Sequence, residues 1–309
     1  MSIVLKKVFT RFLKGIANPQ LILMFLAARG FLKWLPDKQY LKLMFIIRIK
    51  QKLNLNKPRT FNEKLQWLKL NDQRSEYTTY VDKFEVRKFI ENTIGGQYLI
   101  PILGVYDNFD EIDFEALPDK FVLKCTHDSG GLVICTDKSN LNIKEAKDKL
   151  NKCLSRNYYY VHREYPYKNV KPRIICEKYM VDESDTDLKD YKFMCFNGKV
   201  KCSFVCLNRN SPHGLNIDFY DLYWNIMPFE RYYPKSGTTI NKPINYDKMI
   251  ELAEILSKDI PFVRIDFYEV DGKLYFGELT LYPGSGFEEF TPKSFDELLG
   301  SWINLPILK

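Results

Sequence analysis

Two carboxylates, Asp266 and Glu278, stand inside "FVRIDFYEVDGKLYFGELTLYPGSG", a run that otherwise reads as a buried β-hairpin. A charge there is costly unless something compensates it. Val263, Ile265 and Phe267 alternate with Arg264, Asp266 and Tyr268, so the polar three share a face. In the second strand Leu274, Phe276, Glu278 and Thr280 share one. A three-residue loop, Asp271-Gly272-Lys273, would pair Val270 with Leu274 and set Asp266 opposite Glu278, whereas a two-residue Asp-Gly turn would send the acids to opposite faces. Facing carboxylates repel unless a cation lies between them, and Mg²⁺ takes such oxygen ligands together with substrate phosphates. The plainer reading is an Arg264–Asp266–Glu278 ion cluster on a solvated sheet face.

Three other stretches carry groups suited to a phosphorylated ligand. "THDSGG" follows Lys124, and the backbone around Ser129, Gly130 and Gly131 has the composition to curl around phosphate while a lysine neutralises it. The strand end "ICEKYM" presents Glu177 and Lys178, with the neighbouring backbone at Tyr179, to a purine edge. Lys192, in "DYKFMCF", alternates with apolar neighbours and points toward the same cleft. Singly these are an ordinary hairpin turn, a strand-end ion pair and a surface lysine. Their order along the chain is more specific than any member.

The elements that must position them are legible. "NKPRTFNEKLQWLKLND" opens a helix, with Thr60 and Glu63 at capping-box spacing and Phe61, Leu65 and Leu68 on one face. "YVDKFEVRKFIENTIGG" predicts a second helix ended by Gly95-Gly96. Strands are expected over Phe121 to Cys125, Leu132 to Cys135 and "PRIICEKYM", with a hairpin turning at Asn197-Gly198. "NIKEAKDKLNKCL" is a helix with Ile143, Ala146, Leu150 and Cys153 inward, and Met249, Leu252, Ala253 and Leu256 mark another. The stretch from Asn208 to Pro243 reads as irregular. Hairpins with interspersed helices give an α+β fold with antiparallel sheets.

Composition narrows the chemistry. Only three histidines occur, and no Gly-x-Ser-x-Gly element appears, which disfavours a His-rich zinc site and a hydrolase triad. Seven cysteines without CxxC pairs point to a reduced, cytoplasmic protein. Residues 1–52 hold eleven Lys or Arg against one acid, Asp37, a net +10, so the remainder of the +7 chain carries −3. The apolar blocks among those charges are shorter than the roughly 20 residues that span a bilayer, and Lys6, Lys7, Arg11 and Lys14 interrupt any signal-peptide pattern. Residues 1–52 either lie on an anionic membrane surface, at its inner face, or cap the main body with their lysines in water. The basic residues are not interleaved with a nucleic-acid-binding motif, so no nucleic-acid partner is expected.

The order lysine, Gly loop, Glu-Lys, lysine strand, Arg-x-Asp, Glu-x-Thr, Pro-Gly resembles the ATP-grasp superfamily. "NKPRTFNEKLQW", "YVDKFEVRKFI", "DYKFMCFNGK" and "ELTLYPGSG" resemble its TupA-like branch, named for teichuronopeptide biosynthesis, over roughly Pro36 to the C-terminus. The resemblance implies an ATP-grasp fold, two α+β subdomains clamping ATP, and a ligase that joins a carboxylate to an amine through an acyl phosphate, with ATP and Mg²⁺ as cofactors. It assigns nucleotide contacts to Lys124, Ser129, Gly130, Gly131, Glu177, Lys178 and Tyr179, with either Glu183 or Asp185 at the ribose. Arg264 and Lys192 become catalytic, and Asp266 and Glu278 metal ligands. Thr280 departs from the more usual asparagine, its hydroxyl being the group left to coordinate. The partners implied are a uronic acid of a capsular or cell-surface polysaccharide and an amine such as an amino acid. The expected layout is a basic helical segment over 1–56 and an ATP-grasp-like domain over 57–309, divided into 57–118, a lid-bearing 119–178 and a metal-binding 179–309. Two rivals stand beside this reading: a glycosyltransferase using Asp185-Thr186-Asp187, and a non-catalytic scaffold, suggested by Thr280.

Overall fold

The computed structural model describes residues 22–23, 26–27, 30–181, 189–208 and 214–307. Glu183, Asp185 and the Asp185-Thr186-Asp187 triplet lie outside these, as do residues 1–21.

The first long helix, α1 (Asp37–Ile49), buries Tyr40, Leu41, Met44 and Phe45 in a small core that includes Phe287 from the far end of the chain. Arg163 fastens it. Its guanidinium stacks 4.5 Å from the Tyr40 ring and donates to the carbonyl oxygens of Leu32 at 2.8 Å and Leu35 at 3.1 Å. Helix α2 (Phe61–Asn71) starts as its sequence requires, with Thr60 Oγ1 accepting from the Glu63 N–H at 3.1 Å and Glu63 Oε2 accepting from the Thr60 N–H at 3.2 Å.

The single helix expected next is two. α3 (Glu76–Val81) and α4 (Val86–Thr93) are separated because the Asp82 carboxylate accepts from the N–H groups of Phe84 at 2.8 Å and Glu85 at 3.2 Å, a local alternative to helix continuation. That break turns Lys83 toward the Gly loop.

Strands β1 (Ile102–Tyr106), β2 (Phe121–Cys125), β3 (Leu132–Cys135) and β4 (Ile174–Lys178) form an antiparallel sheet in the order β1-β4-β2-β3. Helix α5 (Ile143–Leu154) packs Ala146, Leu150 and Cys153 against it. Ile143, expected inward, is exposed, since it begins the helix at the edge of that contact. A short helix, α6 (Tyr159–His162), precedes β4 in the chain.

The second sheet comprises β5 (Asp190–Phe196), β6 (Lys199–Leu207), β7 (Asn216–Tyr220), β9 (Phe262–Val270) and β10 (Lys273–Thr280), in the order β10-β9-β5-β6-β7, all antiparallel. The β5–β6 hairpin turns on Asn197-Gly198, both at positive φ, as the two-residue hairpin turn demands. β7 and the short β8 (Glu230–Arg231) fall in the stretch expected to be irregular. β8 pairs with β11 (Phe290–Thr291). Helix α7 (Tyr246–Leu256) presents Met249, Leu252, Ala253 and Leu256 to the sheet, and α2 adds Phe61, Leu65 and Leu68 to the same core. Helix α8 (Ser294–Ser301) crosses α2 so closely that a Cβ on Gly300 would lie 2.2 Å from the Arg59 carbonyl oxygen.

Candidate active site

A cleft of about 590 Å³ opens between the two sheets, lined from one side by Lys124 and Glu177 and from the other by Lys192, Arg264, Asp266 and Glu278. How Asp266 and Glu278 come to share it differs from either simple expectation. The hairpin turn is the two-residue one: Val270 pairs with Lys273, and Asp271 and Gly272 have φ of 51° and 71°. On that register alone the acids would point apart. A bulge inside β10 corrects it, because Phe276 pairs with Phe267 while Leu279 pairs with Ile265, one residue out of step. Glu278 is thereby moved off the face of Leu274 and Phe276, which are buried, and onto the cleft face. Gly277 permits the bulge: a Cβ there would sit 3.1 Å from the Tyr268 ring and 3.2 Å from the Asp266 carbonyl oxygen.

The result is a row of charges running across adjacent strands. Lys192 on β5 lies directly opposite Asp266 on β9 and forms an ion pair with it, and Lys192 also contacts Asp190 at 2.6 Å. Arg264 grips Asp266 with two parallel bonds of 2.7 Å and reaches Glu278 at 2.5 Å. Thr280 donates its hydroxyl to Glu278 at 3.1 Å. Asp266 is enclosed, 1% exposed at its side chain, while Glu278 is 45% exposed and open to the cleft. Burial pushes the Asp266 carboxyl up to about 6 against the pull of Arg264 and Lys192. In Glu278 burial is outweighed by Arg264, Lys192 and Lys83 together with the Thr280 hydroxyl, which hold the carboxyl at about 2. Arg264 is raised, its acidic neighbours overcoming burial, so the group stays charged. Counting Asp190, Asp266 and Glu278 against Lys192 and Arg264 leaves one surplus negative charge.

Across the cleft Glu177 accepts from Lys124 at 2.7 Å, with Arg87 at 3.5 Å. In the Gly loop Asp128 accepts the Gly131 N–H at 3.1 Å and Lys83 Nζ donates to the Asp128 carbonyl at 2.6 Å, while Ser129 and Gly130 are exposed, Gly130 at φ 120°. Loop and lysines together make a concave, donor-rich wall suited to phosphate. Lys178 and Tyr179, the other two strand-end residues, do not line the cleft. Strand alternation turns the Lys178 side chain away from that of Glu177, and it is exposed. Lys83, Arg87, Asp128 and Asp190 were not singled out in the sequence. Lys83 and Arg87, four apart just before and within α4, left a spacing that could have marked them.

Among the described residues no three His, Cys, Asp or Glu side chains converge as a ready-made metal cage. Mg²⁺ asks less: one or two carboxylates, with phosphate oxygens and water completing six positions. Glu278, with the Thr280 hydroxyl beside it, offers hard oxygens to the cleft, and Asp266 adjoins it with both carboxylate oxygens held by Arg264 and Lys192, which a metal on Asp266 would have to displace.

A family model described as TupA-like ATP-grasp matches residues 63–304. The chain belongs to the TupA-like ATP-grasp family. The α+β architecture, antiparallel sheets with a cleft between them, is the ATP-grasp fold that family membership entails. Solved structures similar to this TupA-like chain include the D-alanine–D-alanine ligase of Bacillus anthracis complexed with ATP, at 16% identity and TM-score 0.41, covering 72% of this chain and 63% of that one. An ADP complex of purK, N5-carboxyaminoimidazole ribonucleotide synthetase, is 17% identical at TM-score 0.43, covering 78% and 56%. The D-alanine–D-alanine ligase of Helicobacter pylori is 13% identical at TM-score 0.42, covering 79% and 69%. The TupA-like chain spans less than two thirds of the length of the first two. No curated protein matches it.

Proposed function

We propose that the chain is an ATP- and Mg²⁺-dependent carboxylate–amine ligase. The observation that carries this reading is the cross-strand row Lys192–Asp266–Glu278, locked by Arg264 and facing the Lys124–Glu177 pair and the Gly loop across one cleft. A carboxylate oxygen attacking the γ-phosphorus of ATP builds negative charge on the transferring phosphoryl group, and ADP leaves. Lys192 and Arg264 would stabilise that charge, and Lys124 and Lys83 would hold the phosphates. Mg²⁺ held by Asp266 and Glu278, with Thr280 as a neutral oxygen, would neutralise phosphate oxygens. An amine then displaces phosphate from the acyl carbon, which requires water to be kept out. Family kinship supports a uronic acid of a surface polymer as the carboxylate.

Calorimetry tests the nucleotide half. ATP is expected to bind in a Mg²⁺-dependent way and UDP-sugars not, and Lys124→Met should weaken ATP by about tenfold or more, since a charge-assisted phosphate contact is worth about 1.5–3 kcal/mol. Tight UDP-sugar binding without ATP binding would favour a glycosyltransferase, and ATP binding without turnover on any acceptor a scaffold.

The N-terminal region supports a location at a membrane surface. Phe31 and Trp34 are 63% and 76% exposed, and Lys38, Lys42 and Lys50 are exposed nearby, with Ile46 between the last two. Apolar rings bordered by lysines suit an anionic leaflet. None of the described helices is long and apolar enough to cross a membrane. Vesicles containing phosphatidylserine are expected to retain the protein at low salt and release it at high salt, and Phe31→Ser with Trp34→Ser should abolish retention. Equal retention by neutral vesicles, or by the double variant, would remove this part of the reading.

A further inference from the structure

Where the chain leaves β10 it turns sharply. Gly284, Ser285 and Gly286 have φ of 58°, 55° and 63°, successive residues in the left-handed region, and Ser285 carries a side chain there. A serine in that region is held by its surroundings against its own backbone preference. Gly284 and Ser285 line the cleft just past Thr280.

What holds the turn lies behind it. Gln66 Nε2, from α2, donates to the carbonyl oxygens of Ser285 at 2.9 Å and Gly286 at 2.8 Å. Lys69, one turn further along α2 and 1% exposed, donates from Nζ to the Ser285 carbonyl at 2.8 Å, to Gln66 Oε1 at 3.0 Å and to the His162 carbonyl at 3.1 Å. An ammonium has three protons, and these oxygens take all of them. The Ser285 hydroxyl donates to Oε1 of the buried Glu164, whose carboxylate acts against the burial that lowers Lys69 to about 8. Lys69 Nζ also lies 4.7 Å from the centroid of the Phe287 ring and 5.7 Å from that of Tyr282, so it meets the chain on both sides of the turn.

A buried lysine is a costly way to fill space, and an apolar side chain of its size would fill it without that cost. What the ammonium adds is direction: one atom ties together α2, the end of α6 and the turn. Neither Lys69 nor Gln66 lines the cleft, so neither is placed to touch a ligand there. Between the turn and Thr280 lie only Leu281, Tyr282 and Pro283, all buried, a short link that passes any displacement of the turn to the strand end.

We infer that Lys69, Gln66 and Glu164 are positioning residues, a buried clamp that fixes this turn and through it sets where Glu278 and Thr280 present their oxygens to a magnesium-bound nucleotide. The inference rests on the ligase reading and adds to it what holds the metal-facing end of β10 in place.

Lys69→Met combined with Glu164→Gln tests it, because removing both charges leaves neither one buried alone. In hydrogen exchange the amides of residues 281–287 should exchange about tenfold faster or more, with β5, β6 and β9 unchanged, as for a local opening. In calorimetry the affinity for AMP-PNP without Mg²⁺ should stay within about twofold, since Lys124 and Lys83 are untouched. The Mg²⁺ concentration that half-saturates its enhancement of AMP-PNP binding should rise by about tenfold. Turnover should fall by about 10²-fold, the loss that follows a misplacement of about 1 Å. Ser285→Ala, which removes only the hydroxyl bond to Glu164, should move each reading the same way by a smaller factor, and decides the matter if the double variant does not fold. Unchanged exchange in the turn overturns the inference. So does faster exchange with an unchanged Mg²⁺ requirement, which would show a network that only folds the turn. A shifted Mg²⁺ requirement in a protein that turns over no acceptor keeps the clamp and loses the ligase reading. Full turnover in the clamp variants keeps the ligase and loses the clamp, and a parent that binds no AMP-PNP at any Mg²⁺ concentration loses both.

Discussion

Replacing Arg264 by methionine is expected to cost turnover and stability together. The guanidinium neutralises Asp266 and Glu278 at once, so its loss takes the five-group cluster from −1 to −2 with Asp266 still buried. Breaking a buried pair by removing one partner costs about 3–5 kcal/mol. Loss of an arginine that stabilises a transferring phosphoryl group costs about 10³-fold or more in rate. Denaturant unfolding and ADP release, the latter with pooled uronic acids and amino acids, check both. An Arg264→Met protein as stable as the parent would show that the acids are satisfied in another way.

Asp266→Asn separates the two effects. The change takes the cluster from −1 to 0, with Lys192 facing Asp190 and Arg264 facing Glu278, so stability should hold within about 1 kcal/mol. Turnover should fall by about 10²- to 10³-fold, the range seen when one preorganised electrostatic group is removed, and raising Mg²⁺ should recover only part of it. Full activity at ordinary Mg²⁺ would mean that Asp266 serves only to position Arg264 and Lys192. The pair of variants is thus expected to show similar losses of rate with opposite outcomes for folding.

Much of this was legible from local chemistry. Thr60 and Glu63 announced the start of α2, Asn197-Gly198 the β5–β6 turn, and the apolar runs Phe121–Cys125 and Leu132–Cys135 the strands around the Gly loop. The hairpin bearing the acids is legible only in part. Asp271-Gly272 behaves as a two-residue turn, and the register offset lies further along, at a bulge that Gly277 in mid-strand could have signalled. Features that depend on distant chain segments left no such trace. Nothing local says that Asp82 ends α3 and aims Lys83 at the loop, or that Arg48 and His162, far apart in the chain, line one cleft. Lys178 and Glu177 are neighbours in sequence, and in a strand adjacency means opposite faces.

The way Arg163 fastens α1 bears on where this molecule can be cut. The family match begins at residue 63, and a truncation to that boundary would look conservative on paper. It would delete Tyr40, Met44 and Phe45, take the Phe45 ring from Phe287 and strip the Arg163 guanidinium of its carbonyl acceptors at Leu32 and Leu35. It would also remove one of the residues lining the cleft, because Arg48 belongs to that helix. The minimal unit that can be purified and assayed as a whole therefore extends upstream of the recognised domain, through the loop before α1.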